Sequence, residues 1–148
     1  MIRAANYDDL PALLDMGRLM HAESYYGRFP YDAEKIEALL RVLIDGEGCV
    51  FLYERDGRLI GYFLGMLGEH WFGHSTLACD LALYVLPDER GTLAAPSLIK
   101  AFVRWAKSVG ADDVQLAIST DVHANRTARL FEGFGFRSVG GIYKQGAH

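Results

Sequence analysis

Residues 83–95 read LYVLPDERGTLAA and run from an apolar strand through a polar turn into a helix. The first amides of a helix lack partners within the helix, and the helix dipole adds partial positive charge there. Gly91 and Ala95 keep side-chain bulk away from these amides, while Arg90 adds a cation. The stretch is therefore typical of a site that binds phosphate groups. The alternative is a plain connection with a solvated Arg90.

The elements on either side of this stretch alternate between amphipathic helices and apolar strands. An Asp-Gly pair at 56–57 indicates a tight hairpin between two of the strands. The predicted elements are a strand at 2–5, helices at 8–20 and 32–46, strands at 49–53, 59–66 and 77–86, a helix at 95–110, a strand at 114–118, a helix at 124–133 and a final strand or hairpin at 137–144. This order predicts an α+β fold with a mixed, mostly antiparallel sheet flanked by about four helices.

Composition predicts one domain that spans residues 1–148, with 51% hydrophobic and 23% charged residues. The net charge of -4 argues against nucleic acid or an anionic membrane surface as the main partner. No apolar run approaches the roughly 20 residues that span a bilayer, and the first residues lack the pattern of a signal peptide, so we predict a cytoplasmic protein. Cys49 and Cys79 lack zinc-site spacing, and we expect no metal.

Two short motifs lie on either side of the helix at 95–110. A V-x-P-x-x-R-G turn is formed by Val85, Pro87, Arg90 and Gly91. An N…L-[YF]-x-x-x-G-F segment is formed by Asn125, Leu130, Phe131, Gly135 and Phe136. In this order of elements, the motifs resemble the GNAT superfamily of N-acetyltransferases over essentially the whole chain. Residues 97–105 and 135–137, with Tyr143, resemble the branch of that family often found near phage structural genes.

The resemblance implies a GNAT-like acyl-CoA N-acyltransferase fold and an enzyme that moves an acetyl group from acetyl-CoA to an amine. The amine attacks directly in a ternary complex, so acetyl-CoA and an amine acceptor are the implied partners. The pantetheine arm then lies along the strand, and the pyrophosphate lies on the amides of the turn. The coenzyme-binding residues that this implies are Leu83, Tyr84, Val85, Arg90, Gly91, Thr92, Leu93, Ala94, Ala95, Asn125 and Phe131.

Three positions depart from the family pattern. Leu93 stands where glycine is usual, and Phe131 replaces a tyrosine that commonly protonates the departing thiolate. Asn125 lies six residues before Phe131, one fewer than usual. Phe131 can instead be a core side chain. These departures support an alternative function, a catalytically weak acyl-CoA-binding or phage-associated structural module of the same fold.

Acetyl transfer needs a neutral amine, so a base must take a proton from an ammonium substrate. Asp80 lies in an apolar strand where burial raises a carboxyl pKa. Glu69, His70 and His74 lie at the end of the preceding strand and in its loop, and we expect them near the mouth of the same site. We predict Asp80, Glu69 and His70 as candidate catalytic residues, with His74, His123 or water as further choices. A buried carboxylate that is merely hydrogen-bonded, and solvated histidines, are the alternatives.

The segment between the first two helices carries four aromatic side chains. The resemblance implies that it forms one wall of the acceptor pocket, with Glu23 able to attract a cationic amine. The alternative is that these side chains cover the sheet or a contact between copies, in a monomer or homodimer. The predicted substrate-binding residues are Tyr25, Tyr26, Phe29 and Tyr31.

Overall fold

The structure is a computed structural model that describes residues 1–120 and 122–146. Within these ranges one sheet carries five strands in chain order, and four α-helices flank it. β1 to β4 are antiparallel neighbours, whereas β4 and β5 are parallel, so the expected mixed sheet is confirmed. The elements are β1 (Ile2–Ala4), α1 (Leu10–Glu23), α2 (Ala33–Val42), β2 (Gly48–Arg55), β3 (Arg58–Glu69), β4 (Thr76–Val85), α3 (Ala94–Ser108), β5 (Asp113–Gln115) and α4 (Ala124–Gly133).

Local signals in the sequence fix several of these boundaries. Asp56 and Gly57 join β2 to β3 with φ angles of 53° and 74°, the left-handed backbone that a two-residue hairpin requires. Asp32 caps α2, because its Oδ1 accepts a hydrogen bond of 3.2 Å from the amide of Lys35. α1 begins later than expected, because Asn6 caps a short 3-10 turn at Tyr7–Asp9 that precedes it.

The two faces of the sheet bury separate apolar cores. α1 and α2 pack on one face around Leu13, Leu40 and Tyr62, and α3 packs on the other around Phe63 and Phe102. Tyr62 and Phe63 are neighbours on β3 and face opposite sides, as successive strand residues do. The Phe63 and Phe102 rings stack with centroids 4.6 Å apart. This packing fixes α3 so that its N-terminus follows closely on the end of β4.

The C-terminal part of the prediction is wrong. No strand occurs between 136 and 146, where Val139 is 87% exposed and Tyr143 is 96% exposed. The residues Gly140 and Gly141 interrupt the alternation that would give a strand one apolar face, and Ser138 bonds locally to the carbonyl of Gly140 at 3.1 Å. β5 also ends at Gln115 rather than 118. The Ala117 amide, which would continue the pairing with the β4 backbone, bonds instead to the side chain of Asp80.

Candidate active site

A cleft of about 360 Å³ opens where β4 and β5 separate. The two strands pair only over Leu77–Cys79 and Asp113–Gln115. At Asp80 the carboxylate Oδ1, not the β4 backbone, accepts the amide of Ala117 at 3.0 Å. β4 also bulges here, because Gly65 pairs with Asp80 and Leu64 pairs with Ala82, which leaves Leu81 without a partner on β3. Beyond this point, β4 has no neighbouring strand on the cleft side among the described residues, and the Val85 carbonyl accepts from Arg90.

Asp80 lines the cleft at the point where β4 and β5 separate. Burial raises the pKa of its carboxyl to about 6, and the hydrogen bond from Ala117 opposes that rise. An acid with this pKa is ionised at neutral pH and still accepts a proton readily. The carboxylate accepts the amide of Ala117 at 3.0 Å, and a hydrogen bond from its own backbone amide likewise opposes the rise in its pKa. The expected apolar setting of Asp80 is confirmed.

Arg90 also lines the cleft and is held by three hydrogen bonds. Its Nη1 and Nη2 donate to the two carboxylate oxygens of Glu23 at 2.6 and 2.7 Å. Its Nε donates to the carbonyl of Val85 at 3.0 Å. The guanidinium in turn holds the pKa of Glu23 below its usual range. Arg90 therefore ties the last residue of α1 to the end of β4, and Glu23 is already neutralised.

The turn between Arg90 and α3 presents backbone rather than side chains. Thr92 donates from Oγ1 to the carbonyl of Glu89 at 2.6 Å and accepts from the amide of Ala94 at 3.3 Å. Gly91 has φ 84°, and a Cβ there would lie 3.0 Å from Nη2 of Arg126. Leu93 points away, with 72% of its surface exposed, so it does not narrow the cleft. The turn is a cradle that a side chain at 91 would fill.

Most of the predicted coenzyme-binding residues line this cleft. They are Leu83, Tyr84, Val85, Arg90, Gly91, Thr92, Ala95 and Phe131. Leu93, Ala94 and Asn125 do not line it. Phe131 is 8% exposed and its ring packs 6.5 Å from that of Phe136, so it is a wall of the cleft and a core side chain together. Their roles in binding stay predictions.

The structure brings Glu69, His70 and His74 to the opposite end of β4. Glu69 pairs with Thr76, four residues before Asp80, or about 13 Å along the strand. His70 Nε2 lies 3.2 Å from Asp113 Oδ2, and His74 Nδ1 lies 3.2 Å from Glu69 Oε2. None of the three lines the cleft. The expectation that they share its mouth is wrong, because β3 is long and carries them past the point where β4 and β5 separate.

The aromatic segment lies beside the cleft rather than inside it. Tyr25 lines a second, adjacent cavity of about 290 Å³, and its amide bonds to the carbonyl of Thr120 at 2.9 Å. Tyr26 contacts Ser119 and Lys144, which lower the pKa of its phenol. Tyr31 bonds through its hydroxyl to the carbonyl of Leu14, and Phe29 is half exposed. None of the four lines the main cleft.

Several lining residues had no signal in the sequence analysis. Most come from the segment after β5, from the end of α1 and from α4, which meet only when the sheet has formed, and the others belong to β4, the turn after it and the start of α3. Arg126 and Thr127 belong to the first turns of α4, and His123 caps that helix in the left-handed conformation with φ 47°. The lining residues not predicted are Met20, Ser24, Leu81, Ala82, Glu89, Pro96, Ala117, Ile118, Ser119, Thr120, Val122, Arg126, Thr127 and Leu130.

Two kinds of feature are not found in the described ranges. No group of three His, Cys, Asp or Glu side chains within residues 1–120 and 122–146 could hold a metal ion. In the same part of the chain, no helix is both long and apolar enough to cross a membrane. Both cysteines, Cys49 and Cys79, are free thiols.

Comparison with solved structures gives many chains of the same fold. A probable acetyltransferase superposes with a TM-score of 0.76 at 19% identity, covering 98% of this chain and 95% of that one. AAC(6')-Iy in complex with the bisubstrate analogue CoA-S-monomethyl-acetylneamine gives 0.77 at 17% identity, with coverages of 98% and 95%. An aminoglycoside acetyltransferase from an uncultured soil metagenomic sample, in complex with sisomicin, gives 0.73 at 20% identity, with coverages of 98% and 95%. At these identities the likeness shows the fold.

The sequence itself identifies the family. No curated protein matches the chain, but the sequence profile described as the acetyltransferase (GNAT) family matches residues 14–136. That range includes the edge of β4 that faces the cleft, the turn at Arg90 and α4, and it covers well over half of the chain. Together with the acyl-CoA N-acyltransferase fold, this match shows that the chain belongs to the acetyltransferase (GNAT) family.

Proposed function

We propose that this acetyltransferase uses acetyl-CoA to acetylate an amine by direct attack in a ternary complex. The single observation that carries the proposal is the separation of β4 from β5 at Asp80. It leaves a strand edge without a neighbouring strand in the described residues, followed by a helix N-terminus, with a carboxylate of raised pKa where the strands separate. A strand edge, an anion cradle and a base in one cleft fit a thioester with a phosphate-bearing tail.

The coenzyme fits the cleft through backbone contacts. The amides and carbonyls of β4 from Leu83 pair with the amide groups of the pantetheine arm, as a further strand would. The pyrophosphate lies on the turn at Gly91 and the start of α3, where Thr92 and Gly91 leave the backbone accessible. The Arg90 side chain is committed to Glu23 and Val85, so it acts by ordering this turn.

Asp80 takes the first proton from the acceptor ammonium. The neutral amine then attacks the thioester carbonyl, the new C–N bond forms, and a backbone N–H on the cleft-facing edge of β4 stabilises the oxyanion. Collapse of the tetrahedral intermediate breaks the C–S bond, and its electron pair stays on sulfur. The second amine proton leaves in this step and reaches the thiolate through water, since Phe131 has no proton to donate.

The test is release of free CoA from acetyl-CoA with a panel of amines. The panel includes amino acids, polyamines and aminoglycosides, because two proteins of similar fold are described with aminoglycoside-type ligands. We expect amine-dependent release that Asp80→Asn reduces, while Glu69→Gln has no effect. Acetyl-CoA binding without release from any amine would support the coenzyme-binding module instead, and absence of binding would refute both functions.

A further inference from the structure

Two cations lie on the aromatic segment that borders the cleft. Arg28 places its Cζ 4.0 Å from the centroid of the Tyr25 ring and donates from Nε to the Tyr25 carbonyl at 3.1 Å. Lys144 places its Nζ 4.8 Å from the ring centroids of both Tyr25 and Tyr26. Among residues 1–120 and 122–146, neither cation has a carboxylate within 4.0 Å. Within the described ranges, Arg28 contacts the Tyr25 ring and carbonyl, and Lys144 contacts the Tyr25 and Tyr26 rings and the Tyr26 phenol, in a protein of net charge -4.

The cavity beside Lys144 adjoins the main cleft. It has a volume of about 290 Å³ and is lined by Tyr25, Ile118, Ser119, Ala124, Ile142, Tyr143 and Lys144. Ile118 and Ser119 also line the main cleft, so one wall serves both cavities. Asp80 lines the cavity on one side of these two residues, and Lys144 lines the cavity on the other.

Two of the three carboxylates in the described lining of the main cleft are already paired with arginine side chains. Glu23 is paired with Arg90, and Glu89, which is 8% exposed, is paired with Arg55 and Arg58. Asp80 is the remaining carboxylate in the described part of the lining. Among residues 1–120 and 122–146, a polycationic amine would therefore find Asp80 in the cleft and the cation of Lys144 in the adjoining cavity, whereas a carboxylate on the acceptor would find Lys144.

We propose that the acceptor is an amine that also carries a carboxylate, with the carboxylate held by Lys144 and the amine delivered to Asp80. The proposal rests on the proposed acetyl transfer and names its substrate class. Ala117, which bonds to Asp80, and Ser119, which lines both cavities, lie two residues apart, or about 7 Å along an extended chain. This separation favours an acceptor whose amine and carboxylate are several bonds apart over one that joins them at a single carbon.

The experiment is a comparison of ω-amino acids with matched neutral amines at saturating acetyl-CoA. The series runs from glycine to 6-aminohexanoate, and n-hexylamine is the partner that lacks the carboxylate. We expect kcat/KM for 6-aminohexanoate to exceed that for hexylamine and for glycine at least about tenfold, as an ion pair with a hydrogen bond provides. Lys144→Met should abolish the preference in kcat/KM for 6-aminohexanoate over hexylamine, and Lys144→Arg should retain most of it. Lys107→Met, at an exposed site on α3, is the control and should keep the preference.

Each result separates this inference from the function on which it rests. Preference for hexylamine, spermidine or an aminoglycoside over 6-aminohexanoate would overturn it, as would an equal loss for both amines in Lys144→Met. Acetyl-CoA binding is measured beforehand by calorimetry, and its failure refutes the proposed function instead. If no amine is acetylated, binding of 6-aminohexanoate and hexylamine to the protein is compared by calorimetry. Equal affinities there, or affinity unchanged by Lys144→Met, would also overturn the inference.

Discussion

Arg90 and Glu23 face each other with two parallel hydrogen bonds, 2.6 Å from Nη1 to Oε1 and 2.7 Å from Nη2 to Oε2. The side chains are 19% and 29% exposed, so the pair is largely sheltered from solvent. An arginine in this turn would ordinarily be assigned to the phosphates of the coenzyme. Here its donors join α1 to the end of β4, and the turn presents its backbone because Arg90 is held.

Glu23→Ala should weaken acetyl-CoA binding several-fold, although it removes a negative charge near an anionic ligand. Without Glu23, Arg90 loses its bidentate partner, and the turn that follows it becomes less ordered. Calorimetric titration measures the dissociation constant. Glu37→Ala is the matched control, because it removes an exposed partner of Arg41 on α2, far from the cleft. Tighter binding by the Glu23 variant would mean that Arg90 contacts the phosphates directly.

Asp80→Asn should lower kcat/KM at pH 7 by about 10² to 10⁴-fold. In the wild-type enzyme the rate should rise with pH through the Asp80 pKa of about 6, because only the ionised carboxylate accepts the proton. The variant should lose this acidic limb. Glu69→Gln and His70→Gln should keep it, since both side chains lie outside the cleft. An unchanged profile in Asp80→Asn would assign the role of base to water or His123.

The same substitution should stabilise the fold at pH 8. The folded pKa of Asp80 lies above the ordinary value of 3.8, so the unfolded chain loses this proton at lower pH than the folded one. Wild-type stability therefore falls as pH rises from about 4 to about 6, by at most about 3 kcal/mol. Asparagine avoids this loss and can still accept the Ala117 amide. Thermal unfolding should give Asp80→Asn the higher Tm at pH 8 and a similar Tm at pH 4. A lower Tm at pH 8 would contradict the desolvated carboxylate.

Gly91→Ala should destabilise the protein by about 1 kcal/mol and weaken acetyl-CoA binding. The backbone has φ 84°, and the added Cβ would lie 3.0 Å from Arg126 in the cradle. Gly133→Ala is the matched control, because Gly133 is the last residue of α4 and a Cβ there has open space around it. This substitution should leave the free energy of unfolding unchanged or raise it slightly. Denaturant unfolding and calorimetry report the two effects. Equal behaviour of the variants would contradict a special role for residue 91.

Local sequence signals were sufficient for most of the fold. The Asp56-Gly57 pair, the Asp32 cap and the apolar stripe of α3 each act within a few residues, so the helices and the hairpin follow from them. The strand at 137–144 was predicted wrongly because two glycines separate its apolar residues, and the side chains of Val139, Ile142 and Tyr143 stay exposed instead of packing on the sheet or a helix. β5 ends early because the Ala117 amide bonds to the side chain of Asp80, which lies 37 residues earlier in the sequence. The residues around Val114 carry no local signal for this contact.

The part of the candidate site that comes from one continuous segment could be predicted from the sequence. Residues 83–95 were recognised because strand, turn and helix are adjacent in sequence, and Asp80 stood out as an acid among apolar residues. Glu69 and His70 were misplaced because the sequence does not say how far β3 runs beyond the bulge at Leu81. Lys144 and Arg126 carry no motif, and they reach the cavities only through tertiary packing.

A titration with acetyl-CoA, monitored through the amide signals of the protein's NMR spectrum, tests directly whether the coenzyme binds in this cleft. We expect saturable changes in amide chemical shift at sub-millimolar coenzyme, and we expect them to be largest at Leu83–Val85 and at residues 91–95. Ala117 should also shift, since its amide reports on Asp80. Absence of saturable binding, or changes centred away from the separation of β4 and β5, would contradict the assignment of this cleft to the coenzyme.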